Sequence, residues 1–293
     1  MERTTTDLKS FLRKNHSAAT VKIYAFEIHH FINHIGKENA PKASYTQLMN
    51  YLAYLRKRYD NPATVNRIIC ALKIYFDWLV HQKKRTDNPC RSIRLQDLGG
   101  NKDVQIQDLL TDKELELLFK RIERFPTYAL KNQVVMGLLV YQALRTGELV
   151  RLKTEDVQLE KGHIIIRAHG KLPQRILKLQ AVQILSLHQY ISESRPQLLK
   201  QPTETLILSG RGTPEKGEGI HYLVSTFRPM FPTKHLTPSI IRKSVIANLL
   251  KKGRDLRLVQ AFAGHIKPSS TERYRQNDTD ALKQSVHKYH PLK

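Results

Sequence analysis

The sequence has few cysteines, few acidic residues and no long apolar segment. Its 293 residues include only two cysteines, Cys70 and Cys90, which match no metal-ligand spacing, so we expect a protein of the reducing cytoplasm without disulfides. No segment approaches the roughly 20 apolar residues of a membrane helix. No apolar run follows the charges of the N-terminus, so neither a membrane span nor a signal peptide is predicted.

Motifs for nucleotides and metals are also missing. Segment 209–219 contains four glycines but lacks the G-x-x-x-x-G-K-S/T pattern of a phosphate loop, which argues against nucleotide binding. The 13 histidines show no convergent spacing that would suit a metal ion, and no carboxylate cluster accompanies them. We therefore predict no cofactor and no metal.

The shortage of acidic residues leaves a large positive charge. The chain has 49 Lys and Arg against 26 Asp and Glu, which gives a net charge of +23 and a pI near 10.0. Such an excess attracts a polyanion, most often a nucleic acid. Ribosomal, membrane-surface and RNA-binding proteins share this charge, but we find neither the aromatic-rich strands nor a recognised motif of RNA-binding modules.

Hydrophobic spacing divides the chain into two domains. Residues 1–84 show four helical patterns, which begin near residues 7, 17, 45 and 61 and predict a small helical bundle. Residues 85–107 contain a proline, paired glycines and mixed charge, and we interpret them as a linker. Residues 108–293 form the second predicted domain, with a C-terminal tail over 275–293.

The second domain combines helices with a β-hairpin. Thr111 and Glu114 form a predicted capping box, and an apolar helix follows that is expected to end around residues 145–147. Next come two β-rich runs, H-I-I-I-R and Q-R-I-L-K-L, with Gly170 and Lys171 at the predicted hairpin tip.

The segment from Thr237 onward is densely marked by helix caps. Thr237 followed by proline, Asp255, and Ser269 with a glutamate three residues later are the predicted helix starts. Gly253 and Gly264 are the predicted helix ends. Together they predict three short helices before residue 275.

Three polar residues in this segment have an informative spacing. Arg242 lies in an apolar helix, His265 follows 23 residues later, directly after a helix-ending glycine, and Tyr274 lies nine residues beyond it. Each alone is most simply a surface or packing residue. Their order and joint spacing resemble the tyrosine recombinases, the family of phage integrases and Xer-type resolvases.

Other segments extend this resemblance. The run A-L-R-T-G-E-L-V-R-L resembles the family's first-arginine segment, which implies that Arg145 is catalytic and that Glu148 is its acidic neighbour. The hairpin lysine of the family is the general acid on the leaving 5′-oxygen, which implies that role for Lys171, with Lys178 as the alternative. The resemblance makes Arg242 and His265 catalytic as well, and makes Tyr274 the nucleophile.

The implied set is chemically sufficient for strand cleavage. A phenol with a reference pKa of about 10 is a weak nucleophile at neutral pH. Attack on phosphorus becomes feasible once cationic donors stabilise the charge on the non-bridging oxygens. Two arginines can each present a forked pair of donors to a phosphate, which lysine cannot.

One position departs from the family's pattern. Ser239 stands three residues before Arg242, where the family usually has histidine, and Lys243 stands where a second histidine is common. Serine donates only a neutral hydrogen bond, so Lys243 or His235 would have to supply any missing charge. Unless one of them does, stabilisation of the transition state is weaker, so the departure bears on turnover more than on reaction type.

The resemblance also implies an architecture and partners. It predicts a mainly α tyrosine recombinase fold, with a helical core-binding domain and a catalytic domain that carries a small β-sheet. It implies double-stranded DNA as the partner, a homotetramer on two duplexes linked by the C-terminal tails, and accessory DNA-bending or directionality proteins. Arg67 and Lys73 are the candidate DNA contacts of the first domain.

Two alternatives to a recombinase stay open. One is a noncatalytic, sequence-specific DNA-binding protein that retains the fold, for which Ser239 is the supporting feature. The other is a type IB topoisomerase with the same chemistry, against which the compact length argues.

Overall fold

The computed structural model describes residues 2–95, 108–123 and 125–274, which divide into two compact units. The first unit spans residues 1–101 and the second spans residues 102–293. The predicted tail over 275–293 lies outside the described residues. No helix among the described residues is long and apolar enough to cross a bilayer.

The first unit contains the four predicted helices. They are α1 (Glu2–Arg13), α2 (Ala18–Ile35), α3 (Tyr45–Arg58) and α4 (Pro62–His81). Ser17, Ser44 and Asn61 accept hydrogen bonds from backbone amides of the first turns of α2, α3 and α4, so each start is fixed by an N-cap. The helices bury one apolar face each, and Phe31, Leu48 and Phe76 are fully buried in the shared core.

Part of the predicted linker belongs to this first core. Cys90, Ile93 and Leu95 are buried against the helices. Arg85 donates hydrogen bonds to the carbonyls of Pro41 and Ala43, which holds the start of the segment against the connection between α2 and α3. Burying an Ile or Leu side chain contributes about 1.5–3 kcal/mol, which explains why this polar-looking segment packs.

The second unit contains nine α-helices among the described residues and one antiparallel sheet. The helices are α5 (Asp112–Leu117), α6 (Pro126–Tyr141), α7 (Thr146–Arg151), α8 (Ala181–Gln189), α9 (Arg195–Leu198), α10 (Gly217–Ser225), α11 (Pro238–Lys251), α12 (Leu256–Ala263) and α13 (Ser269–Glu272). The strands are β1 (Val157–Gln158), β2 (His163–Ile166) and β3 (Arg175–Lys178), in the order β1-β2-β3.

The sheet contains the predicted hairpin. In its register Ile164 lies opposite Leu177 and Ile166 lies opposite Arg175, so these four side chains share one face. A bridge between His169 and Leu172 places Gly170 and Lys171 at the tip, as predicted. The mainly α fold with a small sheet is thereby confirmed.

Helix α6 forms the centre of the second core. Its residues 134–140 are all buried, so it is apolar on every side. The helix ends at Tyr141, earlier than the predicted end around residues 145–147. Ala143 has a φ of 49°, a conformation that an α-helix cannot continue through. The chain turns here, and Arg145 becomes the N-cap of α7.

The predicted caps after Thr237 are correct with one exception. Thr237 accepts a hydrogen bond from the amide of Ile240, and Asp255 caps α12. Gly264 has a φ of 61°, the left-handed conformation that ends α12. The capping box at Ser269 is wrong: Pro268 is the N-cap of α13 and no side chain caps that helix.

Candidate active site

Arg145 is held by the helix that it precedes. Its backbone amide donates to Oε2 of Glu148 at 2.9 Å, and its Nη1 donates to Oε1 of the same carboxylate at 2.8 Å. Its Nη2 donates to the carbonyl of Gly264 at 3.2 Å. Glu148 is buried, whereas the Arg145 side chain is 30% exposed. The guanidinium is therefore fixed in position and still accessible from outside.

Arg242 lies in α11 and contacts the turn between α6 and α7 that precedes Arg145. The helix α11 buries Ile241 and Val245 against the core, and Arg242 is itself only 8% exposed. Its Nη1 donates to the carbonyl of Ala143, and its Nη2 donates to the carbonyl of Ala263 at 2.5 Å. Arg242 thus bridges the turn before Arg145 and the end of α12.

His265 follows the left-handed Gly264. Its Nδ1 lies 2.8 Å from Oγ1 of the fully buried Thr271. When Nδ1 accepts the proton of the threonine hydroxyl, the single N–H proton of the neutral ring is on Nε2, which can donate it to a ligand. The backbone of His265 is held by Gln260, whose backbone carbonyl accepts from the His265 amide and whose side chain donates to the His265 carbonyl.

Tyr274 completes the group. It comes two residues after α13, half-buried, with its ring centroid 6.3 Å from that of His265 and the two planes 21° apart. Its ring packs against a small apolar cluster of Ile246, Val259 and Ala263. The phenol therefore lies beside the histidine on the side of α11 and α12.

The charges of the site shift the pKa values of its members. Burial, followed by the nearby Arg145 guanidinium, lowers the pKa of Arg242 to about 9, so this side chain is still charged at neutral pH. Burial and the Arg242 charge lower the pKa of His265 to about 4, which keeps the imidazole neutral. Burial alone would raise the pKa of Glu148, but hydrogen bonds from Arg175 and the neighbouring charges lower it to about 2.

Arg175 is the site residue that the sequence analysis missed. It begins β3 and forms a two-pronged ion pair with Glu148, with both nitrogen-to-oxygen distances at 2.9 Å. Its Nε donates to the carbonyl of Phe262 at 3.0 Å. The available signal was strand alternation, because Arg175 shares the inward face with the buried Leu177.

The hairpin lysine, Lys171, does not contact the cluster of Arg145, Arg242 and His265. Lys171 is exposed at the hairpin tip and has no hydrogen-bond or ion-pair partner among residues 108–123 and 125–274. Lys178, the alternative, is exposed at the end of β3. The assignment of the general acid to Lys171 stays a prediction.

The residues near the departure from the family pattern differ in exposure. Ser239 is exposed in the first turn of α11, one turn before Arg242. Lys243 is half-buried and His235 is exposed. Within the described ranges none of the three has a hydrogen-bond partner for its side chain, so the structure does not single out one of them as a substitute for histidine.

The two candidate DNA contacts of the first unit have partners inside that unit. Arg67 is paired with the buried Glu27 at 2.7 Å. Lys73 donates to the carbonyl of Ile93 at 2.7 Å, which holds the segment after α4 against the core. Both therefore have a structural role, and their contact with DNA stays a prediction.

The geometry suits chemistry on a phosphate. Two fixed guanidiniums and a neutral imidazole with a donor proton approach one another around residues 263–265, and a phenol lies beside them. Forked donors can stabilise the charge that develops on non-bridging oxygens. A phenol in this position is a candidate nucleophile for such chemistry.

Family models match both parts of the chain. The model described as "Phage integrase family" matches residues 108–280, and that described as "Phage integrase, N-terminal SAM-like domain" matches residues 1–85. Tyrosine recombinase XerD of Listeria innocua is 27% identical over 287 residues, which cover 96% of this chain and 95% of that protein. Tyrosine recombinase XerC of Bacillus subtilis is 26% identical over 287 residues, with coverages of 96% and 93%.

Solved structures share the fold. The XerH site-specific recombinase bound to a palindromic difH substrate has a TM-score of 0.75 and 20% identity, covering 93% of this chain and 80% of that one. A lambda integrase dimer bound to a COC′ core site has a TM-score of 0.70 and 16% identity, covering 94% of each chain. At these identities the two structures establish the fold.

Proposed function

The chain belongs to the phage integrase family, and we propose that it is a site-specific recombinase that cuts and rejoins DNA strands through Tyr274. One observation carries the proposal. Arg145 and Arg242 donate to the carbonyls of two consecutive residues, Gly264 and Ala263, and the next residue is His265, whose ring lies 6.3 Å from that of Tyr274.

The proposed reaction begins with attack by the phenol. The oxygen of Tyr274 bonds to the scissile phosphorus while Arg145, Arg242 and His265 stabilise the charge on the non-bridging oxygens. The phenol releases its proton to solvent as it attacks. The bond from phosphorus to the 5′-oxygen breaks, and the Lys171 ammonium donates a proton to the departing oxygen. The products are a 3′-phosphotyrosine and a 5′-hydroxyl.

The second half reverses the first. A 5′-hydroxyl from another strand gives its proton to the neutral Lys171 amine and attacks the phosphorus of the phosphotyrosine. The bond from phosphorus to Tyr274 breaks, and the phenolate takes up a proton from solvent. One phosphoester is exchanged for another at each step, so the reaction needs no high-energy cofactor. We accordingly expect neither a nucleotide nor a metal to be required.

This proposal is tested by a recombination assay with DNA from the regions that flank the gene. Labelled duplexes, wild-type protein and a buffer with EDTA and no nucleotide are expected to give a covalent adduct on a denaturing gel and recombinant products. Specific binding without adduct or product would instead favour the noncatalytic DNA-binding protein, the alternative function that Ser239 suggests.

Double-stranded DNA is the proposed substrate, and a homotetramer on two duplexes is the proposed active assembly. The basic excess supports the first, because 49 cationic side chains against 26 acidic ones favour a polyanion. Accessory proteins that bend DNA or set direction would act on this assembly. Its place of action would be the cytoplasm, which suits two unpaired cysteines, Cys70 and Cys90.

The C-terminal tail is the proposed link between protomers. A short helix with Leu282 and Val286 on one face is predicted there from the sequence, and alone it can bury little. Deletion of residues 279–293 is expected to leave binding to a single site nearly unchanged and to abolish the two-duplex complex, measured by gel shift and light scattering.

A matched pair of variants separates the tail's apolar face from its length. Replacing Leu282 and Val286 together by serine should reproduce the deletion, whereas replacing Gln284 and Ser285 by alanine should not. Unchanged recombination by the truncated protein would rule out the proposed link.

A further inference from the structure

The guanidinium of Arg175 donates to three acceptor atoms of two residues inside the second unit. Its two terminal nitrogens donate to the two oxygens of Glu148, and its Nε donates to the carbonyl of Phe262. The side chain is only 8% exposed. Its position is thus fixed by a carboxylate on α7 and by a backbone carbonyl on α12.

Each of these two residues is also connected to a proposed catalytic group. Glu148 also accepts hydrogen bonds from the side chain and the backbone amide of Arg145. Phe262 is followed by Ala263 and Gly264, whose carbonyls accept from Arg242 and Arg145. Arg175 therefore connects the segment that positions Arg145 to the segment that ends in His265.

The contact with the end of α12 is close. A Cβ atom on Gly264 would lie 2.8 Å from Nη1 of Arg175, so the guanidinium packs directly against the left-handed residue before His265. A displacement of the Arg175 side chain would therefore change the packing against Gly264 and the position of the turn before His265. The same side chain belongs to β3, the strand that returns from the hairpin tip with Lys171.

The charge balance of the cluster shows what Arg175 contributes to it. Arg145, Arg175 and Arg242 bring three positive charges and Glu148 brings one negative charge, so the cluster keeps an excess of two. Glu148 is satisfied chiefly by its two-pronged pair with Arg175, which leaves Arg145 with a single side-chain bond to it. The 30% exposed Arg145 can then use its other donors for a phosphate.

We propose that Arg175 is a positioning residue, which sets the distance between Arg145 and the His265 turn through Glu148 and Phe262 without touching the DNA. This inference rests on the proposed catalytic roles of Arg145 and His265. It goes beyond them because it assigns a role in rate to a buried residue with no access to substrate.

The test compares Arg175→Lys with the wild type in single-turnover cleavage at saturating DNA. Lysine keeps the charge but cannot present three donors in the plane that spans the two oxygens of Glu148 and the Phe262 carbonyl. A displacement of about 1 Å in a catalytic group can cost about 100-fold in rate, so we expect a loss of that order. DNA affinity is expected to stay close to that of the wild type. The melting temperature is expected to decrease, because a buried carboxylate loses part of its pairing, so the rate is measured at a temperature where the variant is fully folded.

Arg167→Lys is the control for the loss of an arginine–carboxylate pair as such. Arg167 also pairs with a buried carboxylate, Asp156, at 2.6 Å, and it lies just after β2 on the other side of the hairpin. The Arg167 side chain is 54% exposed, so its substitution tests the loss of an arginine–carboxylate pair near the surface, outside the cluster. The control is expected to cleave at the wild-type rate.

A second variant keeps the inference testable if the lysine variant does not fold. Arg175→Ala with methylguanidinium is expected to recover at least tenfold in rate, whereas methylammonium at the same concentration is not. Wild-type rates in Arg175→Lys, or loss of rate that follows only the loss of folded protein, would overturn the inference. Failure of the wild type to form any adduct would instead overturn the proposed function.

Discussion

Tyr274→Phe is expected to bind the target DNA as tightly as the wild type and to form no covalent adduct. The substitution removes only the phenolic oxygen, which is the atom that would bond to phosphorus. The ring would keep its place, because it packs on Ile246, Val259 and Ala263, and its hydroxyl has no hydrogen bond within the part of the chain that the structure describes. The measurement is a denaturing gel with labelled DNA, with affinity taken from a parallel native gel.

Tyr222→Phe provides the control for this result. Tyr222 lies on α10, is 74% exposed and offers an accessible phenol outside the cluster of Arg145, Arg242 and His265. It is expected to leave adduct formation intact. An adduct that persists in Tyr274→Phe would show that another residue is the nucleophile.

Arg242→Lys is expected to lower the single-turnover cleavage rate by about 100- to 1,000-fold, the range found when one preorganised donor to a developing charge is removed. The arginine reaches the carbonyls of Ala143 and Ala263 and would still present a donor to the phosphate. A lysine ammonium is a point donor and cannot span these acceptors with the same geometry.

Arg195→Lys separates catalysis from packing. Arg195 is likewise only 9% exposed and donates to the backbone carbonyls of Thr203 and Thr205. Both substitutions replace a buried arginine that bonds to backbone, so similar decreases in melting temperature are expected. Equal loss of cleavage in the two variants would indicate that Arg242 acts only through stability.

Ser239→Ala, on the same helix as Arg242, should have a small effect. The serine is exposed and can offer one neutral hydrogen bond, whose net value of about 0.5–1.5 kcal/mol corresponds to at most about tenfold in rate. Cleavage should therefore be measurable in Ser239→Ala. A loss as complete as that of Arg242→Ala would show that the hydroxyl is a major donor.

Local signals predicted most of the features that place the site. Thr237, Asp255 and Gly264 mark helix boundaries by short-range hydrogen bonding and backbone preference, and these were correct. The hairpin tip at Lys171 also follows from local turn chemistry. Residues whose position depends on their immediate neighbours were thus predictable.

Long-range partners were not predictable in the same way. The role of Arg175 depends on its hydrogen bonds to Glu148 and Phe262, which lie 27 and 87 residues away in the chain. Ile93 and Leu95 were assigned to a linker because they stand in a polar, irregular segment, and only the helices of the first unit show where they are buried. Tertiary contacts decided these cases over local composition.

The arginines of the site are anchored to a large extent by main-chain oxygens. The carbonyls of Ala143, Phe262, Ala263 and Gly264 accept their hydrogen bonds, and a carbonyl is present whatever side chain the residue carries. Side chains such as that of Phe262 can therefore drift during evolution without loss of these bonds. A single-residue insertion or deletion between α12 and His265 would displace His265 relative to the Ala263 carbonyl that Arg242 binds. We therefore expect the number of residues between these points to tolerate less change than the side chain of Phe262.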